Sequence, residues 1–153
     1  MISYVTIGTN NKERAAEFYD ALLGELGAKR AFENERLIGW GTGPGQPMLA
    51  IAEPYDKKDA TIGNGGMVAI SAKTPDQVDV LYAKAIELGG TDEGPPGDRG
   101  NGFYGGYFRD LDGNKLVFAV WMFFITEIEP SISMYHSHSC QGINYKSVSF
   151  YPL

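Results

Sequence analysis

"YFRDLDGNKLVFAV", residues 107–120, is the stretch that decides the fold. It contains an Asp-Gly pair, Asp112 and Gly113, between two runs of strand-forming residues. This pattern is typical of a β-hairpin with a tight turn. The second run ends in apolar residues alone, so we expect its strand to be largely buried.

The hairpin closes the second of two similar units along the chain. The first unit opens with "YVTIGTNNKERAAEFYDALLGELG" and the second with "MVAISAKTPDQVDVLYAKAIELGG", each a short strand followed by an amphipathic helix. Both helices carry an apolar stripe at three- and four-residue spacing. Three short strand-like runs, separated by Gly and Pro, follow each helix. The repeated order of strand, helix and three strands predicts two copies of one unit whose sheets enclose a groove.

Capping residues predict where the two helices begin. Asn10 is the expected N-cap of the first helix, with a glutamate three residues later. In the second unit Thr74 is the expected N-cap, Pro75 takes the first helical position, and Gln77 completes a capping box.

The composition limits the class of protein. With 153 residues the chain has the length of one domain, and its net charge of −6 argues against nucleic acid as a partner. That charge mildly favours neutral or cationic ligands. The single cysteine, Cys140, excludes an internal disulfide and fits a reducing compartment. The N-terminus lacks the features of a signal peptide, and the longest apolar run is far shorter than the ~20 residues of a membrane helix. We therefore expect a cytoplasmic protein that does not associate with membranes.

These segments resemble the vicinal-oxygen-chelate superfamily, which includes glyoxalase I, the bleomycin-resistance proteins and the extradiol dioxygenases. The matching residues are "VTIGTNNKERAAEFYDALLGELGAKR", "MVAISAKTPDQVDVLYAKAIELGGTDEGPPGDRG" and "FYGGYFRDLDGNKLVFAV". The resemblance implies an α+β domain over residues 1–122, with βαβββ repeats at about 1–63 and 66–122. The repeats would form a U-shaped mixed sheet around a groove, with the helices outside, in a homodimer.

Metal-using members of this superfamily take ligands from the first and last strands of each repeat. By this resemblance the corresponding positions are Tyr4, Met67, Val117 and one near Leu49. None of these side chains is the imidazole or carboxylate that such a divalent ion requires. The resemblance is therefore to a branch without the usual metal ligands. We expect no metal, no other cofactor, and no metal-dependent glyoxalase or dioxygenase activity.

The expected groove lining is apolar with a few hydrogen-bond donors, which suits a small aromatic or cationic molecule. Strand alternation places Thr6 on the same face as Tyr4. Residues 94–107 are predicted to form a loop beside the groove, where Arg99 could hold an anionic group and Tyr104 could stack on it. The candidate ligand-binding residues are Tyr4, Thr6, Trp40, Met67, Arg99, Tyr104 and Val117. The alternative is that the apolar residues fill a collapsed groove and that the loop is simply solvated.

Residues 123–153 form a C-terminal extension that the resemblance does not cover. Within it, His136, His138 and Cys140 occupy alternate positions and would share one face of a strand, where they could hold zinc, nickel or copper. Incidental placement is the other interpretation. The extension could add strands to a sheet edge, fill the groove or exchange with a partner subunit.

The sequence therefore predicts a protein that binds a small aromatic or cationic molecule in a metal-free groove, as in the bleomycin-resistance branch. A metal-independent lyase or isomerase of the glyoxalase type is the first alternative, with Tyr4, Asp98 or Arg99 as acid, base or electrostatic clamp. A non-catalytic dimeric interaction module is the second.

Overall fold

A computed structural model describes residues 1–122, which form eight strands and two helices. The first repeat consists of β1 (Tyr4–Gly8), α1 (Lys12–Gly24), β2 (Lys29–Glu33), β3 (Leu37–Gly41) and β4 (Met48–Ala52). The second consists of β5 (Val68–Ser71), α2 (Pro75–Glu87), β6 (Thr91–Asp98), β7 (Phe103–Arg109) and β8 (Lys115–Trp121). The α+β class and both predicted βαβββ repeats are confirmed.

The strands form two four-stranded mixed sheets with the same topology, in the orders β1-β4-β3-β2 and β5-β8-β7-β6. In each sheet the first strand of the repeat pairs with the last in parallel, and the other pairs are antiparallel. β1 and β5 are edge strands of their own sheets. Within residues 1–122, the strands are therefore divided between two sheets rather than joined in one.

Each helix covers one face of its sheet and leaves the other face open. The apolar stripe of α1 packs on the first sheet and that of α2 on the second, and the buried residues of both repeats form one cluster. Ala15, Leu22, Val78, Leu81 and Ala85 are among its members. We call the face of each sheet away from its helix the open face. Neither helix within residues 1–122 is long and apolar enough to cross a membrane.

The N-caps of the helices differ in how well the sequence predicts them. In α2 the side chain of Thr74 accepts a hydrogen bond from the backbone N–H of Gln77, as predicted. In α1 the N-cap is Asn11 rather than Asn10. Asn10 instead exchanges two hydrogen bonds with the backbone of Ala60, which attaches the connection after β4 to the start of the helix.

The turn of the 107–120 hairpin is held by residues of the first repeat. Tyr19 of α1 donates a hydrogen bond of 2.7 Å to the carboxylate of Asp110. The hydroxyl of Thr9 donates one of 2.7 Å to the carboxylate of Asp112. Thr9 and Asp110 are buried, so these bonds satisfy polar groups that would otherwise be costly to remove from water.

The predicted loop at residues 94–107 is mostly sheet. β6 runs through Pro95 and Pro96 to Asp98, and only residues 99–102 connect it to β7. β6 is an edge strand, where prolines are tolerated because one side of the strand forms no ladder bonds. The loop prediction is therefore wrong for the residues that flank this short turn.

Candidate functional site

The open face of the first sheet is formed by aromatic and small side chains. Tyr4 and Thr6 lie there, because Ile7 packs into the core and strand alternation turns the even-numbered positions the other way. Met48 pairs with Tyr4 across β4. The ring of Phe32 contacts the ring of Tyr4 edge to face, with 5.9 Å between the ring centroids. It also lies directly over Gly39 of β3, where a larger residue would clash with it.

The position near Leu49, expected to correspond to a metal ligand, faces the other way. Leu49 lies on the helix side and is 8% exposed, while its neighbours Met48 and Ala50 share the face of Tyr4 and Thr6. None of these side chains offers an imidazole or a carboxylate.

The open face of the second sheet carries Met67, with Ala69 and Ser71 following on β5, because Val68 and Ile70 pack into the core. Val117 pairs with Ala69 on one side and Tyr107 on the other. Its side chain is nevertheless completely covered. Val117 therefore forms the floor of this face rather than a surface that a ligand could contact directly.

The donor set at these positions does not fit a divalent metal ion. A phenol, a thioether and a covered isopropyl group occupy Tyr4, Met67 and Val117, and such ions prefer imidazole, carboxylate or thiolate. Within residues 1–122, no group of three or more His, Cys, Asp or Glu side chains is arranged to hold one.

Trp40 lies on the opposite side of its sheet from the position expected for it. It is 2% exposed, packs against Tyr19 with 5.7 Å between ring centroids, and donates a hydrogen bond of 2.8 Å to Asp20. A hydrogen bond from Arg30 is the main cause that lowers the pKa of the Asp20 carboxyl, and the hydrogen bond from Trp40 adds to it. Partial burial of Asp20 acts in the opposite direction. The prediction that Trp40 lines the groove is therefore wrong.

Tyr104 also faces the helix side. Its hydroxyl donates a hydrogen bond of 2.9 Å to Asp79 of α2, and this bond raises the pKa of Tyr104. Tyr104 pairs with Val120, a core residue, and this register turns both side chains away from the open face. The prediction that Tyr104 stacks on a ligand in the groove is therefore wrong, because Tyr104, like Trp40, points to the helix side of its sheet.

Arg99 does lie over the open face, beside a residue that sequence reasoning missed. Its guanidinium group lies 5.3 Å from the ring centroid of Tyr107 and donates to the backbone carbonyls of Pro95 and Gly105. Asp98 precedes it, but the Asp98 carboxylate accepts a hydrogen bond from the Gly100 amide in the turn.

Further charged residues surround the same ring. The ammonium group of Lys115 lies 5.5 Å from the Tyr107 centroid and 3.1 Å from a carboxylate oxygen of Glu93, which also forms a salt bridge with Arg109. Hydrogen bonds from Arg109 and then Lys115 lower the pKa of Glu93. We call Glu93, Arg99, Tyr107, Arg109 and Lys115 the Tyr107 cluster.

Part of the Tyr107 cluster could have been found from the sequence. Lys115 precedes Val117 by two residues on the same predicted strand, so alternation places both on one face. Tyr107 and Arg109 have the same spacing on the preceding strand. Glu93 joins them from β6, at an irregularity in the pairing of β6 with β7, and Arg99 joins them from the turn that follows β6.

Two cavities adjoin the cluster. One of about 530 Å³ is lined by residues 62–67 together with Arg109 and Lys115. The other, of about 230 Å³, is lined by Glu93, Gly94, Arg99, Tyr107 and Lys115. Lys115 thus lies between them, and no residue of the first sheet lines either cavity.

The groups named as candidate acids, bases or clamps do not come together. Tyr4 is on the first sheet, Arg99 is over the second, and the carboxylate of Asp98 is engaged in a turn. The extension at 123–153, with His136, His138 and Cys140, lies outside the described residues.

Comparison with known proteins supports one family. The family model for the glyoxalase/bleomycin resistance protein/dioxygenase superfamily matches residues 1–118. A crystal structure of a glyoxalase/bleomycin resistance protein from Albidiferax ferrireducens T118 is 38% identical, with a TM-score of 0.72 over 78% of this chain and 97% of the other. A hypothetical protein from S. aureus is 27% identical, with a TM-score of 0.61 over 78% of this chain and 91% of the other.

A lactoylglutathione lyase from Agrobacterium tumefaciens shares the fold at 19% identity, with a TM-score of 0.60 over 78% of this chain and 92% of the other. No match was found among curated proteins. The paired βαβββ repeats, the hairpin at 107–120 and the match over most of the chain lead to one conclusion: the protein is a member of the glyoxalase/bleomycin resistance protein/dioxygenase superfamily.

Proposed function

We propose that the protein binds a small aromatic molecule on the open faces of its sheets without the help of a metal ion. The observation that carries this proposal is the replacement of metal-ligand chemistry by other side chains. Where metal-using relatives would place imidazoles and carboxylates, this chain has Tyr4, Met67 and Val117. Aromatic rings lie nearby on both open faces, at Phe32 and Tyr107.

The cavity dimensions support a ligand of modest size. Pockets that bind small molecules enclose roughly 300–1,000 Å³ and combine apolar walls with a few well-placed polar groups. The depression of about 530 Å³ beside Met67 has a volume within that range but is open to solvent on one side, and the cluster residues Arg109 and Lys115 supply part of its polar wall.

We further propose that a second copy of the chain completes the groove. Tyr4, Met67 and Trp121 are 51%, 47% and 57% exposed, which is high for large apolar side chains. Both cavities described above are lined only by residues of the second repeat and of the segment that precedes it. A homodimer could bring the open face of a first sheet opposite the open face of a second sheet. Sedimentation analysis checks this part, and a monomer at all concentrations would contradict it.

A thermal-shift screen of aromatic compounds, run with and without EDTA, tests the binding proposal. A ligand that binds only the folded state raises the melting temperature. We expect hits that are insensitive to EDTA and are weakened in Tyr107→Leu. Tyr55→Leu is the matched control, because Tyr55 is 87% exposed and lies outside both cavities. The proposal fails if no compound shifts the melting temperature, or if Tyr55→Leu weakens binding as much as Tyr107→Leu.

A further inference from the structure

We infer that the Tyr107 cluster is an anion-binding subsite, so that the ligand is an aromatic or planar molecule that bears a carboxylate or a similar anionic group. This inference rests on the proposed function, because it names the chemical class of molecule that the same site takes. It starts from the balance of charges within the cluster. Arg99, Arg109 and Lys115 are cations, and Glu93 is the carboxylate among them.

The carboxylate of Glu93 is divided between two of these cations. One of its oxygens pairs with Arg109 and the other with Lys115. Their side chains are 31% and 32% exposed, so both remain accessible from the open face. A single carboxylate balances only one of the two positive charges, and the second remains available to a bound anion.

Arg99 has no acidic partner among the described residues. Its guanidinium group donates to backbone carbonyls and lies near the ring of Tyr107, contacts that hold it in place without neutralising it. Guanidinium groups suit carboxylates because their parallel N–H donors match the two oxygens. Asp98, the nearest acid in sequence, directs its carboxylate to the Gly100 amide instead.

The cavities place these cations where a ligand would lie. Lys115 lines both the 530 Å³ cavity and the 230 Å³ cavity, Arg109 lines the first, and Arg99 lines the second. An anionic group beside Lys115 would therefore lie between two spaces, each with a second cation. The local charge is opposite in sign to the overall charge of −6, which by itself favours neutral or cationic ligands.

Ring compounds of similar size that carry a negative, a neutral or a positive group test this inference. The probes are benzoate, benzamide and benzylammonium, and the corresponding naphthalene compounds, with affinity measured by calorimetry at low and high salt. We expect the carboxylates to bind most tightly and to weaken as salt is raised, because salt screens exposed charges. Arg99→Gln and Lys115→Gln should each weaken carboxylate binding about tenfold, the loss expected for one charge-assisted hydrogen bond. Amide binding should change little.

Lys58→Gln is the control for a change in net charge, since Lys58 has an 83% exposed side chain and lies outside both cavities. Circular dichroism and melting temperature establish that each variant folds, and the two Gln variants test the subsite independently. The inference is overturned if the amide or the ammonium compound binds as tightly as the carboxylate, or if both Gln variants keep full carboxylate affinity. In that case ring binding itself would still support the proposed function. Absence of binding by all six probes counts against both.

Discussion

The hydroxyl of Tyr19 in α1 donates a hydrogen bond of 2.7 Å to the carboxylate of Asp110, which lies 91 residues later in the chain. Both residues are buried, and the bond joins the helix of one repeat to the hairpin of the other. Asp110 also accepts from the backbone amides of Asp112 and Asn114, so one carboxylate organises the turn and the contact between repeats.

Tyr19→Phe should lower the free energy of unfolding by about 1.5–3 kcal/mol, the range for a hydrogen bond to a charged group. Urea denaturation measures this change. Tyr82→Phe is the matched control, because it removes a hydrogen bond of 2.7 Å to Asp92 that is exposed. Its cost should stay within about 0.5 kcal/mol, typical of surface substitutions. Equal costs for the two variants would show that burial does not strengthen the Tyr19–Asp110 bond.

Stability should fall as the solution becomes alkaline. Burial, followed by the charge of Asp110, raises the pKa of Tyr19 well above its ordinary value of 10.0. Above pH 10 the unfolded chain loses this proton and the folded protein keeps it. The contribution of Tyr19 to the free energy of unfolding is therefore complete below pH 10. It decreases as the pH rises above 10, by up to about 1.4 kcal/mol per pH unit. The stability difference between wild type and Tyr19→Phe should shrink from pH 8 to pH 11, and a constant difference contradicts the assignment.

The two tryptophans should differ in their access to an aqueous quencher. Trp40 is 2% exposed in the core and Trp121 is 57% exposed on the open face. Trp121→Phe leaves only Trp40, so iodide should quench the fluorescence of this variant far less than that of the wild type. Unfolding in urea should abolish the difference. Strong quenching of folded Trp121→Phe would place Trp40 in the groove after all.

Gly90→Ala should destabilise the protein by about 1–3 kcal/mol, the usual cost of overpacking. A Cβ at Gly90 would lie 2.7 Å from the carbonyl oxygen of Ala85 and 3.0 Å from that of Arg109, and neither backbone atom can move easily. Gly43→Ala is the control, since a Cβ there meets nothing within 4 Å. Thermal or urea unfolding compares the two, and an equal effect would contradict the packing at the α2–β6 junction.

Removal of metal ions should leave both the melting temperature and ring binding unchanged, because Tyr4, Met67 and Val117 provide no suitable ligands. EDTA dialysis followed by thermal-shift measurement checks this. The control is a variant with His136→Ala and His138→Ala, which separates a metal held in the extension from one held in the groove. A loss of ring binding on chelation, with recovery on addition of one divalent ion in this variant, would refute metal independence.

The fold could be predicted from the sequence because its signals are local. The apolar stripes that bury Leu22 and Leu81, the capping box at Thr74 and the Asp-Gly turn at Asp112 each lie within a few residues. The choice between Asn10 and Asn11 as N-cap could not be made this way. It depends on Ala60, which holds Asn10 from a distant part of the chain.

The site was less predictable because strand faces depend on register. In β3, Ile38 and Trp40 alternate with glycines. The two large side chains point to the helix side of the sheet, and Gly39 lies on the open face, under the ring of Phe32. In β7, two adjacent pairs of aromatic residues leave the inward face ambiguous until β8 pairs with it. Pairing with Val120 then turns Tyr104 inward, and pairing with Val117 turns Tyr107 outward. The charged groups around Tyr107, Glu93 included, come from three separate strands and a turn, and no local pattern brings them together.

The dependence of the 107–120 turn on the first repeat also bears on how the chain is made. Asn114 donates a hydrogen bond to the backbone carbonyl of Gly8, and Thr9 and Tyr19 reach acids of the same turn. A ribosome delivers the N-terminal repeat long before these acceptors exist. The hydroxyl of Tyr19 therefore lacks its acceptor until the hairpin emerges, so the final consolidation of the first repeat is a late event in synthesis.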